Sequence, residues 1–172
     1  MIRRVLVPLD GSELAERALV VAGGLVEALS GELVLARVVP PSVPGRFYAP
    51  KQLDQLEEAQ RKEAEAYLAS VAERLKEDRL SAQTHVLTGE IATALIAFAK
   101  RERCDLVVMS SHGMQGLGWE VFGSVAQKLL HGAPCPVLIV RPAVGAELER
   151  EEEMEEARAD EALLRELPKR DA

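Results

Sequence analysis

Along the first 140 residues, short apolar runs alternate with longer stretches whose apolar positions recur every three or four residues. Ile2 to Leu9 is rich in β-branched residues and reads as a strand. Ser12 then suits a helix N-cap, with Glu13 and Glu16 near the positive end of the helix dipole. Leu14, Ala18, Leu25 and Leu29 recur at helical spacing, and Ala15, Leu19, Ala22 and Val26 widen the same stripe until Ser30-Gly31 stops it. Leu33 to Val39 is a second buried run. Four prolines between Pro40 and Pro50 predict a loop, and Gln52 to Glu77 a helix with Leu56, Tyr67, Leu68, Val71 and Leu75 on one side. A third strand is expected at Ala82 to Leu87, a helix at Ile91 to Lys100, and a wholly apolar strand at Leu106 to Met109. Ser124 to Leu130 reads as a helix ended by Gly132 and Pro134, and Pro136 to Val140 as the last strand.

Strands separated by helices run mostly parallel, because each crossover is itself a helix. A fully apolar fourth strand fits a sheet covered on both faces. The expected fold is therefore α/β: a doubly wound, five-stranded parallel sheet with helices on both faces. Ligands of such sheets sit beyond the carboxyl ends of the strands, where the strand order reverses. Two loops at strand ends stand out, Pro8 to Ser12 and Ser110 to Ser124.

The second loop holds Gly113, Gly116, Gly118 and Gly123, and it enters a helix at Gly123-Ser124. Glycines allow close approach of a ligand to the backbone, and the free amides and dipole of a helix start favour a phosphate. Ser124 adds a hydroxyl. The loop is not a Walker A sequence, since Ser124-Val125 stands where Lys-Ser/Thr would be. It is not a dinucleotide fingerprint either: Val121 occupies the third glycine's place, and the loop follows the fourth strand. A flexible strand-to-helix connection is the plain alternative.

These residues resemble the universal stress protein family, whose nucleotide signature is Gly-x2-Gly-x9-Gly-Ser/Thr. Gly113 and Gly123-Ser124 match its second and third elements, and Ser110 replaces its first glycine. Val5 to Ser12 resembles the family's opening strand and turn, and Ala133 to Val140 its closing strand. The resemblance covers residues 1 to about 142 and implies strand order 3-2-1-4-5, which brings both loops to one crevice. It implies an ATP site, with Mg2+ as the accompanying ion. Asp10 and the backbone near Val38 would lie on the adenine side, Ser110, Gly113, Gly123, Ser124 and Val125 would hold ribose and phosphates, and Pro8, Leu9 and Met109 would complete the nucleotide-binding set. It also implies a homodimer built on the last strand. Asp10 has a second reading, as a cap for the following helix.

The net charge of −7 lacks the basic stripe that nucleic acid requires. It is also unevenly placed. Residues 143–172 carry eleven acidic and five basic side chains, so only −1 remains on residues 1–142. We therefore expect a nucleotide-binding domain at 1–142 and an acidic, helical extension at 143–172. No apolar run approaches a membrane span. Two cysteines, Cys104 and Cys135, make no disulfide framework, and no leader is visible, so a cytoplasmic protein is expected. The absence of Asn and the excess of Arg over Lys fit either a heat-adapted source or codon bias.

Phosphoryl transfer needs a positioned base and concentrated positive charge, and the glycine loop holds neither Lys nor Arg. His112 has no acid or nucleophile partner in the loop. The expected function is thus a regulatory protein that binds ATP with at most slow hydrolysis. The alternative is an ATP-independent interaction module of the same fold.

Overall fold

The computed structural model of the protein describes residues 2–41, 50–111 and 123–141, with residues 50–52 described by backbone alone. Strand and helix alternate as the pattern predicts: β1 (Arg4–Pro8), α1 (Glu13–Leu29), β2 (Glu32–Val39), α2 (Pro50–Glu77), β3 (Ala82–Thr88), α3 (Ile91–Arg101), β4 (Leu106–Ser110), α4 (Ser124–Gly132) and β5 (Val137–Val140). The five strands form one sheet in the order β3-β2-β1-β4-β5. Every pairing is parallel. Residues Met1–Val140 form one compact unit. The expected helical extension and the end of the expected domain at 142 lie outside the described residues.

Side chains alternate across the sheet. Val5, Val7, Leu33, Leu35, Leu106 and Val108 point to one face and pack under α1 and α2. Leu6, Val34, Ala36, Val107 and Met109 point to the other and pack under α3 and α4 with Phe98, Leu95 and Leu129. Apart from Phe98, the fully buried large side chains are Leu and Val. Burying each such side chain contributes roughly 1.5–3 kcal/mol.

Two local details differ from the pattern. The left-handed residue that closes α1 is Ser30, with φ 51°, rather than Gly31. Gly31 is needed for a different reason: a Cβ there would lie 2.8 Å from the Arg3 carbonyl oxygen. Helix α2 begins at Pro50, two residues before the expected start; proline suits the first helical position, where no N–H bond is lost. Its deeply buried positions are Ala64, Leu68, Val71 and Leu75, and Leu56 is exposed. At 28 residues the helix is about 42 Å long, against roughly 26 Å for β2, so its first turns run past the end of the sheet.

Candidate functional site

The carboxyl ends of β1 and β4 lie side by side, with Val5 paired to Leu106 and Leu6 to Val107. The same offset sets Pro8 level with Met109. On the other side Pro8 pairs with Ala36, and β2 runs on to Val39 beyond this last paired position. The two unusual loops therefore leave from one edge of the sheet, as expected.

The turn after β1 is closed by its own hydrogen bonds. Leu9 is buried and its N–H donates to the Ala36 carbonyl at 2.8 Å. The Ser12 N–H (2.9 Å) and hydroxyl (2.6 Å) both donate to Asp10 Oδ1. Ser12 Oγ in turn accepts from the Ala15 N–H at 3.1 Å, capping α1. Asp10 thus takes the capping role through Ser12, and one of its oxygens is engaged there. Gly11 supplies the φ of +92° that an L side chain rarely adopts.

The loop after β4 is arranged differently. Ser110 and Ser111 are buried at the strand end. The Ser111 N–H donates to the Val140 carbonyl at 3.1 Å, and the Gly123 N–H donates to the Ser111 carbonyl at 3.0 Å. This last bond joins the point where the chain leaves the sheet to the point where it re-enters helix. Gly123 is the N-cap of α4 and has no side chain with which to cap it. The Gln127 N–H reaches the Gly123 carbonyl, whereas the first-turn amides at Ser124, Val125 and Ala126 have no carbonyl within the helix to bond. Ser124 is exposed and Val125 half-buried.

A family model described as "Universal stress protein family" matches residues 1–141. The chain belongs to that family. A Bacillus subtilis universal stress protein is 32% identical over 148 residues, covering 82% of this chain and 100% of its own length. A Thermus aquaticus universal stress protein is 34% identical over 144 residues, with 82% and 100% covered. Among solved structures, a universal stress protein in complex with cAMP superposes with TM-score 0.61 at 24% identity, covering 80% of this chain and 96% of that one. An Arabidopsis thaliana family protein with AMP bound gives TM-score 0.60 at 17% identity, covering 84% and 94%. At such identities the two structures speak to the fold alone.

In this family member the expected site residues fall into three groups. Val38, Met109 and Val125 pack on the α3/α4 side of the sheet. Leu9 belongs to the α1/α2 side. Pro8, Asp10, Ser110, Gly123 and Ser124 stand at the edge between them. Gly113 lies outside the described residues, as do His112, Trp119 and Phe122.

Three charged groups at the same end of the molecule were not foreseen. Arg37, on β2, faces the α1/α2 side; its Nη2 lies 3.2 Å from Glu63 Oε1 and its guanidinium stacks on the Tyr67 ring, Cζ 5.0 Å from the centroid. The Tyr67 hydroxyl donates to Glu16 at 2.9 Å. Burial first, then that hydrogen bond and the charges of Glu16 and Asp10, hold the Tyr67 hydroxyl above its usual pKa, with Arg37 opposing. Glu90 caps α3 by accepting from the Thr93 N–H (2.8 Å) and hydroxyl (2.6 Å), and Lys128 of α4 reaches its other oxygen at 2.8 Å. The bonds from Lys128 and Thr93 bring the Glu90 carboxyl down to about 2. One signal in the sequence marks Arg37: it is the lone charge inside the apolar run Leu33 to Val39. No comparable signal marks Glu90 or Lys128.

Proposed function

We propose that this universal stress protein is a regulatory protein that binds an adenine nucleotide, ATP with Mg2+, in the crevice between the β1 and β4 ends. The observation that carries the reading is the start of α4. Among the described residues its amides have no side-chain cap, Gly123 offers no Cβ to obstruct a phosphate, and the loop's two ends are tied at Ser111 and Gly123. The dipole of α4 adds its positive end at the same point. Family structures with cAMP and AMP bound support the adenine part. Val38 and Met109 would offer the apolar wall for the base, Asp10 and Ser110 hydroxyl or amine contacts, and Gly113, Gly123, Ser124 and Val125 the phosphate cradle. Among the described residues no three His, Cys, Asp or Glu side chains gather as a metal site, so Mg2+ would arrive with the phosphates.

Hydrolysis is at most slow on this reading. Arg37 and Lys128, two of the cations described near the site, are held by Glu63 and Glu90. Ser110 favours a second reading, an interaction module that binds no ATP. Its side chain is buried where the family signature has glycine.

We also assign dimerisation to β5. It is an outer strand of the sheet, all four of its residues are apolar, and Leu138 is 38% exposed. An apolar edge of this kind is a liability unless paired. The opposite edge, β3, shows Gln83, Thr84 and Thr88 instead. A monomer mass by light scattering at micromolar concentration would refute the dimer. A reducing cytoplasm suits Cys104 and Cys135, whose thiols burial pushes up, that of Cys104 to about 11. Residues 1–142 form the nucleotide domain in this proposal and residues 143–172 an acidic extension outside it. Truncation after Pro142 should leave ATP affinity intact, and a tenfold loss would place the extension in the site.

Titration of nucleotide-free protein with ATP, followed by mass spectrometry of nucleotide co-purified from cells, tests the function. Binding at neither step would favour the interaction module.

A further inference from the structure

We propose that Arg37 is a positioning residue for the nucleotide site, a planar support that ties α2 to the turn carrying Asp10. The inference rests on the nucleotide reading above. A Cβ built on Gly11 would lie 3.6 Å from Arg37 Nη1 and 3.7 Å from both Cζ and Nη2. Three near-equal distances place Gly11 over the face of the guanidinium; an approach along its edge would bring the nitrogens well inside the carbon. The side of Gly11 on which a Cβ would stand therefore faces the flat of the group, at ordinary van der Waals range for such an atom.

The guanidinium is itself fixed from α2. Its Cζ stands 5.0 Å from the Tyr67 ring centroid, and Glu63, one turn earlier, takes Nη2 at 3.2 Å. Tyr67 is fixed in turn through Glu16 of α1, which also accepts from Arg74 at 2.6 Å. The contacts that carry the coupling are those of the Tyr67 ring, Arg37 and Gly11; Glu16, itself met by Arg74, only braces the hydroxyl end of the ring. Gly11 lies between Asp10 and Ser12, the cap of α1. A change in α2 therefore moves the turn, and a ligand that fixes the turn holds α2.

Charge is the lesser part of this arrangement. Glu63 is 71% exposed, and ion pairs so open to water contribute little. What arginine supplies and lysine lacks is a rigid plane that can lie over a ring and face the Gly11 turn at once. Arg37 is the lone charge between Leu33 and Val39 of β2.

The test uses the full chain. ATP dissociation constants by isothermal titration, and melting temperatures, are measured for wild type, Arg37→Lys, Arg37→Ala, Tyr67→Phe and Tyr67→Leu. Backbone hydrogen exchange of Ala64 to Leu68 is followed with and without ATP. Arg37→Lys, Arg37→Ala and Tyr67→Leu should each weaken ATP binding by about fivefold or more, the lower end of ordinary site-to-site coupling. Tyr67→Phe keeps the ring and should stay within about twofold of wild type. ATP should slow exchange in this stretch of α2 in wild type and Tyr67→Phe, and not in Arg37→Lys. A lysine variant with wild-type affinity and the same ATP-dependent protection overturns the proposal while leaving the nucleotide site standing. Absence of ATP binding in wild type overturns the nucleotide reading and this proposal together. Should Arg37→Ala fail to fold, Arg37→Lys against Tyr67→Phe decides alone.

Discussion

Helices α1 and α4 both start at the same edge of the sheet, after adjacent strands, yet their first turns are built in opposite ways. At α1, Asp10 accepts from Ser12, and Ser12 in turn caps the Ala15 amide, so the protein's own side chains cap this start. At α4, Gly123 gives the chain a fixed entry point through its bond to Ser111 and, among the described residues, the amides that follow have no side-chain acceptor. Buried or half-buried amides need partners, and a native helix start that lacks them is completed by water or by a ligand. The difference separates a turn that shapes the crevice from one that can receive an anion.

The largest expected effect comes from closing the open end. Gly123→Val should abolish ATP binding, a loss of at least about a hundredfold, because its branched side chain blocks phosphate from charge-assisted bonds that contribute roughly 1.5–3 kcal/mol each. The fold should persist by circular dichroism. Unchanged affinity on titration would move the phosphate site elsewhere.

Acid titration sharpens the comparison with a third helix start, that of α3. Glu90 is held from 4.5 down to about 2 by Lys128 and Thr93. A depressed folded pKa stabilises the protein above pH 4.5, and the contribution is lost as pH falls from there towards 2. Glu90→Gln should therefore flatten that part of the stability profile, measured by denaturation from pH 2 to 7. An unaltered profile would show that the Glu90 contacts contribute nothing to folding.

Removing the two serines separates the helices on stability alone. Ser12→Ala deletes a working cap and should cost about 1 kcal/mol in urea denaturation. Ser124→Ala, at an exposed position that caps nothing, should stay within about 0.5 kcal/mol. Equal costs would mean that the two starts are alike after all.

The smallest effect concerns Ser110. Ser110→Gly restores the family signature and should tighten ATP binding by a few fold. A weakening would show that the buried hydroxyl belongs to the site.

The sequence made the framework readable because each element announces itself locally. The β-branched run of β1, the Ser12 cap and the heavy apolar stripe of α1 need no distant residue to be recognised. The strand order was legible only through family resemblance, since apolar strands carry no label for their neighbours. Leu56 was misplaced because helical spacing shows which side of α2 it shares with Tyr67, but not that the helix runs beyond the sheet. The crevice edge was legible from its glycines and Asp10. The partnership of Arg37 with Gly11 and Tyr67 was not, because it joins three elements through stacking geometry that no spacing encodes.

The melting temperature of nucleotide-free protein, with and without millimolar ATP and Mg2+, tests the central claim most directly. Ligand at a hundredfold excess over its dissociation constant stabilises the native state by about 2.7 kcal/mol. The account predicts a rise of several degrees in wild type and none in Gly123→Val. An unchanged melting temperature in wild type would contradict it.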